Sequence, residues 1–109
     1  MKQKYKVKID PQAMQDLKEI FTYVAINDSV DSANKLVDAI ENSFLKLEEL
    51  PNRGHIPEEL RSTGIKKFLE IHYKPYRIIY EVSKEIVYVH LVLDGKRNIK
   101  DILNDRLFR

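Results

Sequence analysis

The segment KPYRIIYEVSKEIVYVHLVLDGKR, residues 74–97, decides the fold of this chain. Apolar and aromatic side chains recur at every second position in both of its halves, which is typical of two paired β-strands. A two-residue turn at Lys84-Glu85 aligns these positions across the pair, whereas a three-residue loop would mix apolar and polar side chains on each face. The side chains predicted to share the core face are Tyr76, Ile78, Tyr80, Val82, Val87, Val89, Leu91 and Leu93.

The opposite face of this hairpin contains an arginine, Arg77, in the middle of a strand. An isolated buried charge is very unfavourable, so its guanidinium must reach either water or an anion. One interpretation is an ion pair with Glu70 or Glu81. The other is a surface that receives a phosphate or an acidic segment, since the bidentate guanidinium fork suits both. Lys96 and Arg97 follow Gly95 at the strand end, so Arg77, Lys96 and Arg97 are the predicted phosphate- or target-binding residues.

The N-terminal half predicts one strand and a helical hairpin. Residues 4–9 alternate lysines with Tyr5, Val7 and Ile9, which indicates a half-buried strand. Asp10-Pro11 then forms a helix start, with an N-cap residue before proline at the first helical position. Helices are predicted to about Ile26 and over 30–49, and the short loop at 27–29 makes them roughly antiparallel.

Residues 51–64 read as a loop, in which His55 is expected to be a solvated side chain. The following strand divides its side chains between two faces, with Leu69 and Ile71 on one side. Phe68, Glu70 and His72 lie on the other side. Lys74-Pro75 turns the chain, and Asn98 is predicted to cap a C-terminal helix.

The predicted fold is α+β in the order β-α-α-β-β-β-α. A helical hairpin packs on one face of a small, mostly antiparallel four-stranded sheet, and a short helix ends the chain. A length of 109 residues indicates a single domain, 1–109. The second face of the sheet is expected to remain semi-polar and accessible.

Composition narrows the functional classes. The chain has no cysteine, and its three histidines lack the i, i+4 spacing of a helical metal site, so neither a metal nor a cofactor is expected. No apolar run approaches the ~18 residues of a membrane span, which favours a cytoplasmic protein without membrane contact. Net charge is +2, but residues 28–60 hold 3 basic and 8 acidic side chains while residues 61–109 hold 11 and 6. A polyanion would therefore approach one side only.

The helical hairpin followed by KPYRIIYEVSKEIVYVHLVLDGKRNIKDIL resembles the RelE/ParE superfamily of type II toxin–antitoxin toxins, some of which are linked to plasmid stabilisation. The likeness spans the whole chain in element order and is sharpest over residues 74–103. Two chemistries share this fold. RelE-like members cut mRNA on the ribosome, whereas ParE-like members poison DNA gyrase without a hydrolytic site of their own.

The resemblance favours the ParE-like branch, which is not enzymatic. Arg77 and Arg97 match arginines of the RelE-like ribonucleases. However, the lysines of those enzymes fall at Phe68 and Glu70, and their tyrosine in the last helix falls at Leu103. The alternatives are a ribosome-dependent mRNA endonuclease or a non-toxic interaction module. An endonuclease would use Arg77 and Arg97 as cations, with a histidine or glutamate of the second face in proton transfer. The candidates for that role are His72, His90, Glu70 and Glu81.

The resemblance also implies a cognate antitoxin, with toxin and antitoxin assembled as a heterotetramer. The predicted antitoxin contacts are Phe68, Arg77, Ile79 and Val92, on the assumption that the second face is exposed. Alternatively, the last helix packs its apolar side on its own sheet and helices.

Overall fold

The computed structural model describes residues 4–95 and 99–107 and has the predicted order of elements. The elements are β1 (Lys6–Ile9), α1 (Pro11–Asn27), α2 (Val30–Leu45), β2 (Phe68–Tyr73), β3 (Tyr76–Ser83), β4 (Ile86–Asp94) and α3 (Ile99–Leu107). The sheet has the strand order β1-β4-β3-β2, in which β1 is parallel to β4 and the other neighbours are antiparallel. The predicted α+β class is confirmed, with a mixed sheet.

Both long helices begin at side-chain caps. Asp10 Oδ1 accepts a hydrogen bond from the Gln12 backbone N–H at 2.8 Å, as the Asp-Pro pattern predicts. Ser29 Oγ accepts from the Ser32 N–H at 3.0 Å and starts α2. No helix in the described part of the chain is long and apolar enough to cross a membrane.

Two short 3₁₀ turns refine the predicted boundaries. α2 ends at Leu45 instead of near residue 49, because the chain tightens into a turn at Lys46–Glu48 that still buries Leu47. A second turn, Glu58–Thr63, lies within the segment that was predicted to be an irregular loop.

The helical hairpin covers one face of the sheet, as predicted. Apolar side chains of α1 and α2 meet those of β2, β3 and β4 in one cluster. This first core contains Ala13, Leu17, Ile40, Phe44, Leu47, Ile71, Ile78, Tyr80, Val87, Val89 and Val92.

A β-bulge divides the hairpin and corrects the predicted facing of β4. The two-residue turn is confirmed, and Tyr80 lies opposite Val89 as predicted. One step further Ile79 lies opposite Leu91, so His90 is an extra residue on β4. Beyond this point every side chain of β4 changes face.

The change of face moves three apolar residues. Leu91 and Leu93, which were predicted to face the helical hairpin, lie on the second face, and Val92 lies on the hairpin side. All three are buried, so the prediction was wrong about their direction and right that Leu91 and Leu93 are buried.

The second face is also covered, contrary to the expectation of an accessible surface. α3 and the segment before β2 lie over it and enclose a second core. Phe68, Ile79 and Val92 were expected to be exposed, yet they are only 2%, 0% and 2% exposed. The last helix therefore packs on its own sheet. The buried members of this second core are Leu60, Phe68, Ile79, Leu91, Leu93 and Leu103.

An ion pair fastens α3 to the rest of the fold. Arg106 donates to both carboxylate oxygens of Asp16 on α1, at 3.0 and 3.1 Å. Because β1 pairs with β4 only as far as Val89, the next backbone groups of β4 lie at a free edge. Asp16 accepts from the Val92 N–H at 3.0 Å and Arg106 donates to the His90 carbonyl at 3.1 Å, which closes that edge.

Candidate functional site

Arg77 lies on the second face of the sheet, beside the second core, and lines a cavity of about 330 Å³. The prediction that its guanidinium points away from the helical hairpin is therefore met by the structure. The cavity is built by β2, β3 and the segment that precedes β2, and it is lined by equal numbers of acidic and basic side chains. The charged side chains around it are Glu58, Glu59, Arg61, Glu70, Lys74 and Arg77.

Two carboxylates hold the guanidinium of Arg77. Its Nη1 and Nη2 donate to the two oxygens of Glu59 at 2.7 and 2.8 Å. Its Nη2 donates to Glu70 Oε1 at 2.9 Å, and its Nε donates to Glu70 Oε2. The predicted pairing with Glu70 is present. The predicted alternative with Glu81 is wrong, because Glu59 takes that place.

The three side chains of this cluster are largely buried. The side chain of Arg77 is 16% exposed, that of Glu70 is 2% exposed and that of Glu59 is 23% exposed. The hydrogen bonds that Arg77 donates to Glu59 and then to Glu70 raise the pKa of Arg77, and the hydrogen bond from Arg77 lowers the pKa of Glu59. The guanidinium is fully neutralised, with two carboxylates for one cation.

Two histidines adjoin the same buried carboxylate. His72 Nε2 lies 2.8 Å from Glu70 Oε2, and His55 Nε2 lies 3.8 Å from Glu70 Oε1. Their rings meet edge to face with centroids 5.3 Å apart. His55 is solvent-exposed, as expected, but its backbone also pairs with Glu70 in an isolated bridge outside the regular strands. These three residues are the described ones whose side chains could hold a metal ion together.

The remaining predicted catalytic candidates lie in a separate group. His90 Nε2 is 3.0 Å from Glu81 Oε1, and its Nδ1 is 3.5 Å from Asp10 Oδ2. The Phe68 ring packs against His90 edge to face at 5.7 Å. Neither His90 nor Glu81 lines the Arg77 cavity, so the candidates do not form one constellation.

Three predicted positions lie outside the described residues: Lys96, Arg97 and the helix cap Asn98. Gly95, the last described residue before them, lines the cavity and donates its N–H to the Pro75 carbonyl at 2.8 Å.

Two residues of the site, Glu59 and His55, were missed from the sequence. Glu59 meets Arg77 across 18 positions of the chain. His55 meets its partner through one bridge outside the regular strands. Neither contact has a local pattern in the sequence, and the only available signal was the presence of acidic and imidazole side chains in a loop next to a strand.

Residues 7–99 match the family model for the ParE toxin of the type II toxin–antitoxin system parDE. The chain is also 31% identical over 84 residues to Toxin ParE3 of Caulobacter vibrioides, an alignment that covers 77% of this chain and 80% of that toxin.

Solved structures show the same fold. A chain of the chromosomal ParDE toxin–antitoxin system from P. aeruginosa superposes with a TM-score of 0.70 at 16% identity, covering 84% of this chain and 97% of that one. The RelBE2 toxin–antitoxin complex from Mycobacterium tuberculosis gives 0.58 at 19% identity, with 84% and 98% covered. A mutant of E. coli toxin RelE in the free state gives 0.64 at 15% identity, with 97% of both chains covered. The chain therefore belongs to the ParE toxin family, within the RelE/ParE superfamily, and is a toxin of a type II toxin–antitoxin system.

Proposed function

We propose that this toxin inhibits DNA gyrase by binding it and does not cleave mRNA. The observation that supports this proposal is the ion pairing of Arg77. Its charged guanidinium already has two carboxylate partners, Glu59 and Glu70.

An RNA-cleaving site needs a base, an acid and a cation that stabilises the charge that develops on the phosphate. The guanidinium of Arg77 is paired with both Glu59 and Glu70, while Arg61 and Lys74 line other parts of the cavity. A phosphate would therefore have to displace a carboxylate to reach Arg77. Glu70 also occupies a position where the resemblance to the ribonucleases implies a lysine, so the charge at that position is reversed.

An mRNA endonuclease remains a second candidate because of His90. Its imidazole lies 3.0 Å from Glu81 and is 22% exposed, an arrangement suited to a general base that a carboxylate orients. Arg97 would have to provide the cation in that mechanism.

We propose a cognate antitoxin as the natural partner. The ParDE and RelBE2 structures are named as a toxin–antitoxin system and complex, which supports this for a chain of the same family. Contact through Phe68 and Ile79, as predicted from the sequence, would require α3 to leave the sheet, because both side chains are buried beneath it.

Two parallel assays test the proposed target. Purified toxin is added to a gyrase supercoiling reaction and to a translation reaction whose message is probed for cuts. We expect supercoiling to be inhibited while the message stays intact. Unaffected supercoiling with cleaved message would replace the gyrase proposal by the endonuclease.

Growth arrest on expression, relieved by the neighbouring open reading frame, tests the antitoxin; absence of arrest would favour the non-toxic module.

The role of Arg77 in target binding has its own test. If an acidic group of the target binds Arg77, it must displace Glu59, the more exposed of the two partners. Glu59→Gln should then strengthen inhibition, and Glu49→Gln, at an exposed glutamate that does not line the cavity, should leave it unchanged. Equal activity of both variants and of wild type would exclude Arg77 from the target contact.

A further inference from the structure

We propose that His55, Glu70 and His72 form a binding site for a divalent transition-metal ion, with Zn²⁺ as the best-suited ion. The site is independent of whether the toxin acts on gyrase or on mRNA, because it is defined by three side chains of the isolated protein. Their ligand atoms all lie within 4.8 Å of one another.

Strand geometry brings the three residues to one face. Glu70 and His72 are two positions apart on β2, so their side chains point to the same side. His55 pairs directly with Glu70 through two backbone hydrogen bonds of 3.0 and 2.7 Å. This pairing places the side chain of His55 beside that of Glu70, on the same face. The three residues meet through strand pairing and not through the i, i+4 spacing of a helical metal site.

The distances between ligand atoms are close to those of a zinc site. Zinc bonds of about 2.0–2.2 Å in a tetrahedron separate ligand atoms by roughly 3.4 Å. The carboxylate of Glu70 lies 2.8 Å from His72 Nε2 through its Oε2 and 3.8 Å from His55 Nε2 through its Oε1, on either side of that value. Both imidazoles are about half exposed, at 45% and 52%, so small ring rotations can accommodate the ion. The ion would replace the hydrogen bond between His72 and Glu70.

Surrounding contacts hold the site in place. Arg77 hydrogen-bonds to both oxygens of Glu70 and fixes the orientation of this carboxylate, the role that outer-shell partners have in metal sites. The segment before His55 is fastened by Tyr80, whose hydroxyl accepts from the Gly54 N–H at 3.0 Å and donates to the Pro51 carbonyl at 2.8 Å. A Cβ on Gly54 would lie 2.7 Å from the Glu70 carbonyl, so the backbone packs closely at this point.

The donor set selects the ion. Two imidazole nitrogens with one carboxylate suit zinc and its neighbours, whereas magnesium and calcium prefer oxygen ligands alone. Glu59, the second carboxylate beside Arg77, lowers the repulsion between the guanidinium and an incoming dication. With three protein ligands, a fourth position would remain for water or an anionic oxygen from the cavity.

The test is titration of the tag-free toxin with ZnCl₂ by isothermal calorimetry. We expect one ion to bind per chain, and His55→Gln and His72→Gln each to weaken it at least tenfold, since even outer-shell changes cost about 10–100-fold in affinity. His90→Gln is the matched control, because His90 also contacts a glutamate but lies outside the trio. It should bind zinc as wild type does.

Bound Co²⁺ gives a second readout, because its visible absorption reports nitrogen ligation and coordination geometry. We expect a saturable spectrum in wild type and in His90→Gln that both other variants lose, while circular dichroism shows that all variants are folded. Absence of saturable binding to wild type would overturn the proposal. So would binding that persists in both His55→Gln and His72→Gln, or that disappears in His90→Gln.

Discussion

The side chains of Arg77 and Arg106 are equally exposed, at 16%. Each guanidinium donates two hydrogen bonds to one carboxylate, Arg77 to Glu59 and Arg106 to Asp16. They differ in what surrounds the ion pair. Arg106 and Asp16 also hydrogen-bond to the backbone of β4, at His90 and Val92. Among the described residues, Arg77 donates to side chains alone, and these line an open cavity.

The difference separates a structural ion pair from an adjustable one. The Asp16–Arg106 pair joins α1, α3 and the free edge of β4, so its loss would leave buried backbone groups without partners. The Arg77 cluster has two carboxylates for one guanidinium, and one of them, Glu59, is partly exposed. Because the partners of Arg77 are side chains, replacing Glu59 would leave the backbone hydrogen bonds of the sheet intact.

The largest expected effect is that of Asp16→Ala. It removes the partner of Arg106 and the acceptor for the Val92 N–H together, so we expect a loss of about 3–5 kcal/mol in the free energy of unfolding. Chemical denaturation measures this, with Glu19→Ala on the exposed side of α1 as the control. A loss below about 1 kcal/mol, the scale of a surface ion pair, would refute the structural role.

Arg77→Ala should cost less, roughly 2–3 kcal/mol, below the ~3–5 kcal/mol of a broken buried pair. Glu70 would lose its guanidinium partner but keep the contact with His72. Adding Glu70→Gln removes the uncompensated charge and should restore about 1 kcal/mol. Urea denaturation of the two variants measures both effects. A loss equal to that of Asp16→Ala would mean that the two arginines are equally structural.

The fold was largely predictable, whereas the covering of its second face was not. In β4 the positions Val89, Leu91, Val92 and Leu93 are all apolar, so alternation could not reveal the bulge at His90. The four apolar residues in a five-residue stretch reflect a strand that is buried on both faces. That signal could have predicted that α3 covers the sheet.

The candidate site was predictable only where strand geometry decides it. The direction of Arg77 and its pairing with Glu70 follow from period-two alternation on adjacent strands. Glu59 and His55 belong to a segment whose path depends on tertiary contacts such as the Tyr80 hydroxyl with Gly54 and Pro51. No local sequence preference encodes such a path, because its hydrogen bonds join residues 26 and 29 positions apart.

Tyr80→Phe should loosen the backbone segment beside the Arg77 cluster and leave the contacts of the Asp16–Arg106 pair unchanged. It removes a donor and an acceptor to the segment 51–54 without changing the packing of the ring in the first core. We expect a loss of about 1–2 kcal/mol, measured by urea denaturation. Hydrogen exchange should increase at Gly54 and His55 and stay unchanged at Val92, where Asp16 accepts. Faster exchange at Val92 would show that the two networks are coupled.

The smallest expected effect is the pH dependence of the Arg77 cluster. The hydrogen bond from Arg77 lowers the folded-state pKa of Glu59 below its ordinary value of 4.5, so its contribution to stability is complete above pH 4.5. That contribution is lost as the pH falls through the lowered folded value, because the unfolded state then binds the proton first. Glu59→Gln should therefore be less stable than wild type near neutral pH and approach it in acid, by a small amount since Glu59 is partly exposed. Urea midpoints across this range measure the convergence, with Glu58→Gln as the control. A constant difference between Glu59→Gln and wild type at every pH would mean that the carboxylate of Glu59 does not act through its charge on Arg77.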